Sequence, residues 1–412
     1  MLSDAPRSAP PSSAPSPGGW AAFSVVSVGT LMGALDGNIV NVALPTLGAQ
    51  FGAGVHRLQW VVNAYVIAIT VTLVPLGRLG DRLGHRTLYT AGIVVFTLGS
   101  ALCGLAPGVD ALTASRVLQA MGASAMMAIA PAIVTASFPP RMRGRALGAL
   151  GTVVALGLTV GSPLGGLILA HLSWRWAFYV SVPVGVAGAA WALRALPGGA
   201  GGAGGPLLDG SIFRIPDFSR GLVAGYLAYV AMFTQTFLTP FLLAQVLGLG
   251  PAKLGLVLMS VPLALSVASP ASGWIADRSG ARALTVVGML TLAAALLALS
   301  LVGPDSHVAT VSGLLGLAGA GLGIFQAPNN AEMMSALPRE RLGSGGGLRA
   351  TARNAGMASG VALAGALVGM RAGAATHGAA FLAGYGLALR AGAAVALLAA
   401  VAPAAPARPG RR

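Results

Sequence analysis

Apolar residues in this chain come in continuous runs of membrane length, not in the one-sided stripes of a surface helix. A helix needs about 20 apolar residues to cross the hydrocarbon core of a bilayer. Runs of that kind fall at 21–47, 58–77, 87–106, 112–136, 145–170 and 176–196, then at 221–246, 253–275, 283–303, 308–336, 346–370 and 379–403. The pattern predicts an all-α polytopic membrane protein with twelve transmembrane helices. Prolines and glycines inside several runs do not oppose this, because neighbouring helices can satisfy a loosened backbone. Residues 197–219, from Pro197 through Gly-Gly-Ala-Gly-Gly to Ser219, form the one long interior break. They predict a flexible linker between two six-helix halves, at 20–196 and 220–404. Residues 1–19 are rich in Ser, Pro, Ala and Gly and predict a disordered tail, not a signal peptide. Residues 405–412 predict a short basic tail.

Composition agrees with a membrane protein: 55% of residues are hydrophobic and 8% charged, with a mean hydropathy of +0.79. The 60 glycines suit helices that pack closely through small residues. The net charge of +15 does not point to nucleic acid. Nineteen basic residues fall in the tails, the linker and the loops after even-numbered spans, against four in the opposite loops (Arg57, Arg175, Lys253 and Arg371). That asymmetry predicts cytoplasmic termini in a plasma (inner) membrane protein, with the lipid bilayer as its partner and a monomeric state. Cys103, the only cysteine, lies in an apolar run and reads as a small buried thiol.

A repeat relates the halves. Gly77-Arg78-Leu79-Gly80-Asp81-Arg82-Leu83-Gly84-His85-Arg86 returns 196 positions later, beginning at Gly273 and carrying Asp277, Arg278, Gly280 and Arg282. Each copy is a charged hinge between two spans. Six spans separate the copies, so both face the same side and the halves run parallel. Gly84 and Gly280 permit a tight turn, while Gly77 and Gly273 permit close helix approach. Asp81 and Asp277 can meet the positive end of the following helix or a neighbouring arginine.

Asp36 lies near the middle of span 1, where an ionised carboxylate is costly unless paired or hydrated. Such a group suits reversible protonation; the alternative is a paired acid that only packs helices. Arg116, about one turn inside the outer end of span 4, is expected at a similar depth and within reach of Asp36. An arginine that approaches and withdraws would change how tightly the acid holds a proton. Gly157, Gly161, Gly165 and Gly166, interrupted by Pro163, recur along span 5, as a close-packing face or a bending hinge. Asn41, Tyr65, Gln119, Tyr229, Gln235, Phe237 and Phe325 are weak candidates for a substrate cavity. Glu332, with Gln326, Asn329 and Asn330, ends span 10 and reads as solvated. No phosphate-binding loop, metal-ligand spacing or catalytic constellation is present in the sequence, so no enzyme activity, metal or cofactor is expected.

These motifs together resemble the major facilitator superfamily, and within it the drug:proton antiporters, over nearly the whole chain. The span 2–3 hinge is similar to that superfamily's signature loop. Arg116 to Gly122 resembles R-x-x-Q-G-x-G, with Ala120 at a usual glycine. Gly161 to Gly166 resembles G-P-x-L-G-G, with Ser162 and Pro163 shifting the proline by one. Leu35 to Pro45 resembles the L-D-x-T-x-V-N-V-A-L-P of the fourteen-span branch, with Asn38 at the threonine. Trp174 to Phe178 and Val182 to Gly185 resemble its W-R-W-x-F…N-V-P-x-G, with Ser181 at the asparagine. That branch carries two further spans between its halves, which residues 197–219 cannot supply. The resemblance implies two parallel six-helix bundles and proton-coupled export of small amphipathic or cationic compounds, such as drugs or antibiotics, by alternating access. Asp36 would bind the proton and Arg116 would tune it. An exporter of one metabolite or lipid, and a non-transporting sensor or scaffold, are the alternatives.

Overall fold

The computed structural model describes residues 17–196, 210–338, 341–372 and 378–404. The expected N-tail up to residue 16, linker residues 197–209 and the C-tail lie outside them. Hydrocarbon offers no partner to a free N–H or C=O, so apolar runs close their own hydrogen bonds as helices. The first half comprises α1 (Pro17–Phe51), α2 (Val55–Leu83), α3 (His85–Leu105), α4 (Val109–Ser137), α5 (Pro140–His171), and α6 (Trp176–Tyr179) with α7 (Ser181–Ala195). The second comprises α8 (Pro216–Phe241), α9 (Pro251–Leu258) with α10 (Ser260–Ser279), α11 (Ala281–Leu299), α12 (Val308–Ser335), α13 (Leu342–Ala372) and α14 (Gly378–Ala404).

Twelve membrane-length segments result among the described residues, and two are broken where proline dictates. A proline ring clashes with the carbonyl four residues earlier. Pro183 meets the Tyr179 carbonyl in this way and α6 ends there; Pro262 meets that of Leu258, where α9 ends. Eleven segments are long and apolar enough to cross a membrane. The exception is α13, equally long but carrying Arg349, Arg353, Asn354 and Arg371 among glycines and alanines. Large apolar side chains such as Val71, Leu98, Leu156, Val267 and Leu398 remain exposed around the bundle. They would face lipid rather than water.

Helix partners repeat between the halves. Span 4 (α4) packs on α2 and α3, and span 10 (α12) packs on α10 and α11. Span 1 (α1) packs on α5, and span 7 (α8) on α13. Between halves, α2 meets α13 and α5 meets α9. Both seams lie at the end opposite the two hinges. A Cβ on Gly255 would fall 2.3 Å from the Ser162 carbonyl oxygen, and one on Gly166 2.5 Å from that of Pro251. At the hinge end a Cβ on Gly144, Gly148 or Gly151 of α5 would meet nothing within 4 Å. The halves therefore close at the far end and part at the hinge end.

The second part of the expected linker 197–219 lies within the described residues. Gly210–Arg214 form a 3₁₀ turn and α8 starts at Pro216. Ile212 and Phe218 bury themselves against Met333, Leu337 and Leu348, so apolar contact with α12 and α13 folds this stretch. Each hinge turns at a glycine with positive φ, Gly84 at 91° and Gly280 at 89°, whose N–H bonds back to the Gly80 or Ala276 carbonyl at 2.9 Å.

Because Gly255 sits backbone-to-backbone on α5, Gly255→Leu should prop the far-end seam open. Spin labels at positions 172 and 253 should then report a longer distance by electron–electron resonance. An unchanged distance would show that the seam does not close through this glycine.

Candidate functional site

Asp36 of α1 and Arg116 of α4 form one buried ion pair. Arg116 Nη1 lies 2.6 Å from Asp36 Oδ2, with the acid 0% and the arginine 2% exposed. Gln119, one turn beyond Arg116 and on the same helix face, connects both. Its Nε2 donates to Asp36 Oδ1 at 2.8 Å, and its Oε1 accepts from Arg116 Nη1 at 2.6 Å. The same Nε2 lies 2.8 Å from Ser100 Oγ, and Cys103 Sγ approaches Gln119 Oε1 at 3.8 Å. From α2, the Val61 carbonyl accepts from Arg116 Nε at 3.4 Å, and the Tyr65 ring lies 3.8 Å beneath the guanidinium. Four helices thus converge on one acid. In so dry a place both charges are tolerated because each neutralises the other and keeps its hydrogen bonds. Tyr65 and Gln119 are members of this network rather than lining of a separate cavity. Ser100, Cys103 and Val61 escaped sequence reasoning, since an apolar run gives no sign of which residue faces a buried charge.

The span 5 glycines divide by neighbour. A Cβ on Gly157 would fall 2.6 Å from Ala34 Cβ, on Gly161 2.9 Å from Asn38 Cβ, and on Gly165 3.0 Å from Ile39 Cα. These three bring α5 onto α1 around Asp36, whereas Gly166 faces α9 of the other half. Asn38 Nδ2 donates to the Leu158 carbonyl at 2.8 Å, beside the stretch that Pro163 deprives of an N–H. Asn41 is half-buried on the same helix as Asp36.

The two hinges share a backbone turn. Asp81 pairs with His85 at 3.3 Å, at the start of α3. Arg86 donates to the Leu193 carbonyl near the end of α7. In the second copy Arg278 stacks over Trp274 at 3.5 Å. Gly77 and Gly273 occupy matching places, a Cβ on each falling 3.7 Å from Ala128 Cβ and Ala327 Cβ.

In the second half, Tyr229 and Phe325 line a cleft between α8, α12 and α13 near the hinge end. Tyr226, Gln326, Asn329, Arg349 and Arg353 join them. Gln235 and Phe237 do not: both are buried in the bundle, and Gln235 Nε2 donates to Thr239 Oγ1 at 2.8 Å. Glu332 is exposed. Arg349 and Arg353 belong to α13, within the expected span 346–370; their spacing of four inside a Gly/Ala run was the available signal.

The profile of the Major Facilitator Superfamily matches residues 26–361. The chain belongs to that family and is a multi-pass membrane transporter, not an enzyme. It is 30% identical over 395 residues to the riboflavin transporter RibZ of Clostridioides difficile (strain 630), covering 83% of this chain and 87% of that protein. It is 29% identical over 399 residues to the multidrug resistance protein Stp of Mycobacterium tuberculosis (strain CDC 1551 / Oshkosh), covering 83% and 74%. The fold matches a bacterial homologue of the human lysosomal transporter Spinster, in an inward-facing and unoccupied conformation. The TM-score is 0.74 at 18% identity, over 95% of this chain and 96% of that one.

Arg116→Ala would leave Asp36 buried and unpaired. It should cost about 3–5 kcal/mol of stability, read as a lower thermal midpoint of the detergent-solubilised chain. Combined with Asp36→Asn, the loss should shrink; additive losses would show that the two are not coupled.

Proposed function

We propose that this transporter is a proton-coupled exporter of small amphipathic compounds, drugs and antibiotics among them, that works by alternating access. The observation that carries the reading is the Asp36–Arg116–Gln119 cluster. A proton on Asp36 removes one charge of the pair, and Arg116 keeps Gln119 Oε1, the Val61 carbonyl and the Tyr65 ring. Neutralising the acid would therefore not leave Arg116 without partners. The move would reach the other half mechanically: α1 carries Asp36 beside Asn38 and Ile39, which pack on the α5 glycines, and α5 closes on α9 through Gly166.

The excess of basic residues at the hinge end supports cytoplasmic hinges and termini in a plasma membrane protein. The half-open cavity would then face the cytoplasm and collect its compound there. Protonation from outside would favour release outward and return of the carrier, since proton and compound prefer different conformations. Similarity to Stp, named for multidrug resistance, supports export of several compounds. A single-metabolite exporter is the second reading, favoured by similarity to RibZ, named a riboflavin transporter. Amphipathic cargo fits better than purely cationic cargo, because the second-half cleft presents arginines.

In acidified everted vesicles carrying the chain, adding a transported drug should release protons. Asp36→Asn should abolish that release and lower export at least about tenfold, if protonation supplies the 1.4 kcal/mol or more that such a ratio requires. Drug export without proton release, or full activity of Asp36→Asn, would overturn the mechanism.

A further inference from the structure

We infer that the cleft between α8, α12 and α13 binds an oxyanion, a carboxylate, sulfonate or phosphate, borne on an aromatic or apolar body. The inference rests on the exporter reading for its cargo but not for its geometry. The cleft is partly open, and its enclosed part has room for little more than a water molecule, so an apolar body would sit at its mouth. Arg349 and Arg353 stand one turn apart on α13 and both line it. Among the described residues neither has a carboxylate within 4.0 Å: the ion pairs there join Arg57 to Asp110, His85 to Asp81, Arg116 to Asp36 and Arg220 to Asp217. The Nε of Arg353 is buried with no hydrogen-bond partner. Two neighbouring cations in a partly dry cleft repel each other, and an unsatisfied guanidinium N–H is costly there.

The rest of the lining sorts into donors and an apolar wall. Tyr229 donates to Gln326 Oε1 at 3.2 Å, leaving the Gln326 amide N–H groups to face a guest. Tyr226 is held by Ser359 at 2.9 Å, and Asn329 Nδ2 by the Gly221 carbonyl at 3.0 Å. Tyr226 and Tyr229, both part-exposed, supply the aromatic side of the lining, backed by the buried Phe325. An oxyanion bridging both guanidinium groups would answer the repulsion and the vacant donor together. The mid-membrane carboxylate of the other half is no rival, since Asp36 is fully engaged by Arg116 and Gln119.

Either a transported organic anion or the phosphate of an anionic lipid presents this chemistry. The test is calorimetry on the full chain in phosphatidylcholine nanodiscs, comparing naphthalene-2-sulfonate with naphthalene-2-methanol. The sulfonate should bind at least tenfold more tightly. Arg349→Gln with Arg353→Gln should erase that preference; Arg349→Lys with Arg353→Lys should keep most of it, and shows that loss follows charge rather than misfolding. Equal affinities for the two probes, or an undiminished preference in the glutamine variant, would overturn the site. Adding phosphatidylglycerol then separates the sources. Loss of sulfonate binding assigns the site to lipid phosphate; persistence assigns it to a solute. Sulfonate binding without drug-driven proton release would sink the exporter mechanism and leave this site standing, and the opposite result would do the reverse.

Discussion

An ionised carboxylate and a guanidinium inside a bilayer are stable only in each other's company, and the first half is arranged around that requirement. Asp36 enters from α1 and Arg116 from α4, while α2 and α3 contribute the carbonyl, ring and hydroxyl that complete their contacts. Separating α1 from α4 would expose both charges to hydrocarbon at once, so the pair pins four helices as one body. The α5 glycines extend this constraint, because they admit α1 at backbone distance, so α1 cannot shift without pressing on α5.

The second half repeats the helix partners and not the chemistry. It has the same hinge, the same turn at a glycine of positive φ, and the same packing of its fourth helix on its second and third. Where the first half holds a neutral, closed pair, the second presents two arginines to an open cleft. A duplicated scaffold thus carries a closed ion pair in one half and an open, arginine-lined cleft in the other. Neither half contains both.

The spans were legible because hydrocarbon forces long apolar runs into helices, and the hinge repeat gave the two-half layout. The pairing of Asp36 with Arg116 was legible too, since a buried acid and a buried base at similar depth have few other partners. Three things were hidden. The linker end folds because Ile212 and Phe218 find apolar residues more than a hundred positions away. Arg349 and Arg353 fall within the expected span 346–370, but an apolar run does not show that both face the same cleft. Tyr65 and Gln119 read as cavity lining because their role depends on which way α2 and α4 turn toward each other.

The crossing of α5 and α9 is made of backbone: Gly166 on one side, Gly255 on the other, with the Ser162 and Pro251 carbonyls between them. A contact without side chains has no rotamers to freeze when it forms and none to release when it parts. The two glycines carry no ionisable group either, so their own contact does not depend on acidity or salt. Such a surface behaves as a plain bearing: it resists little, remembers nothing, and leaves the direction of motion to forces applied elsewhere in the chain.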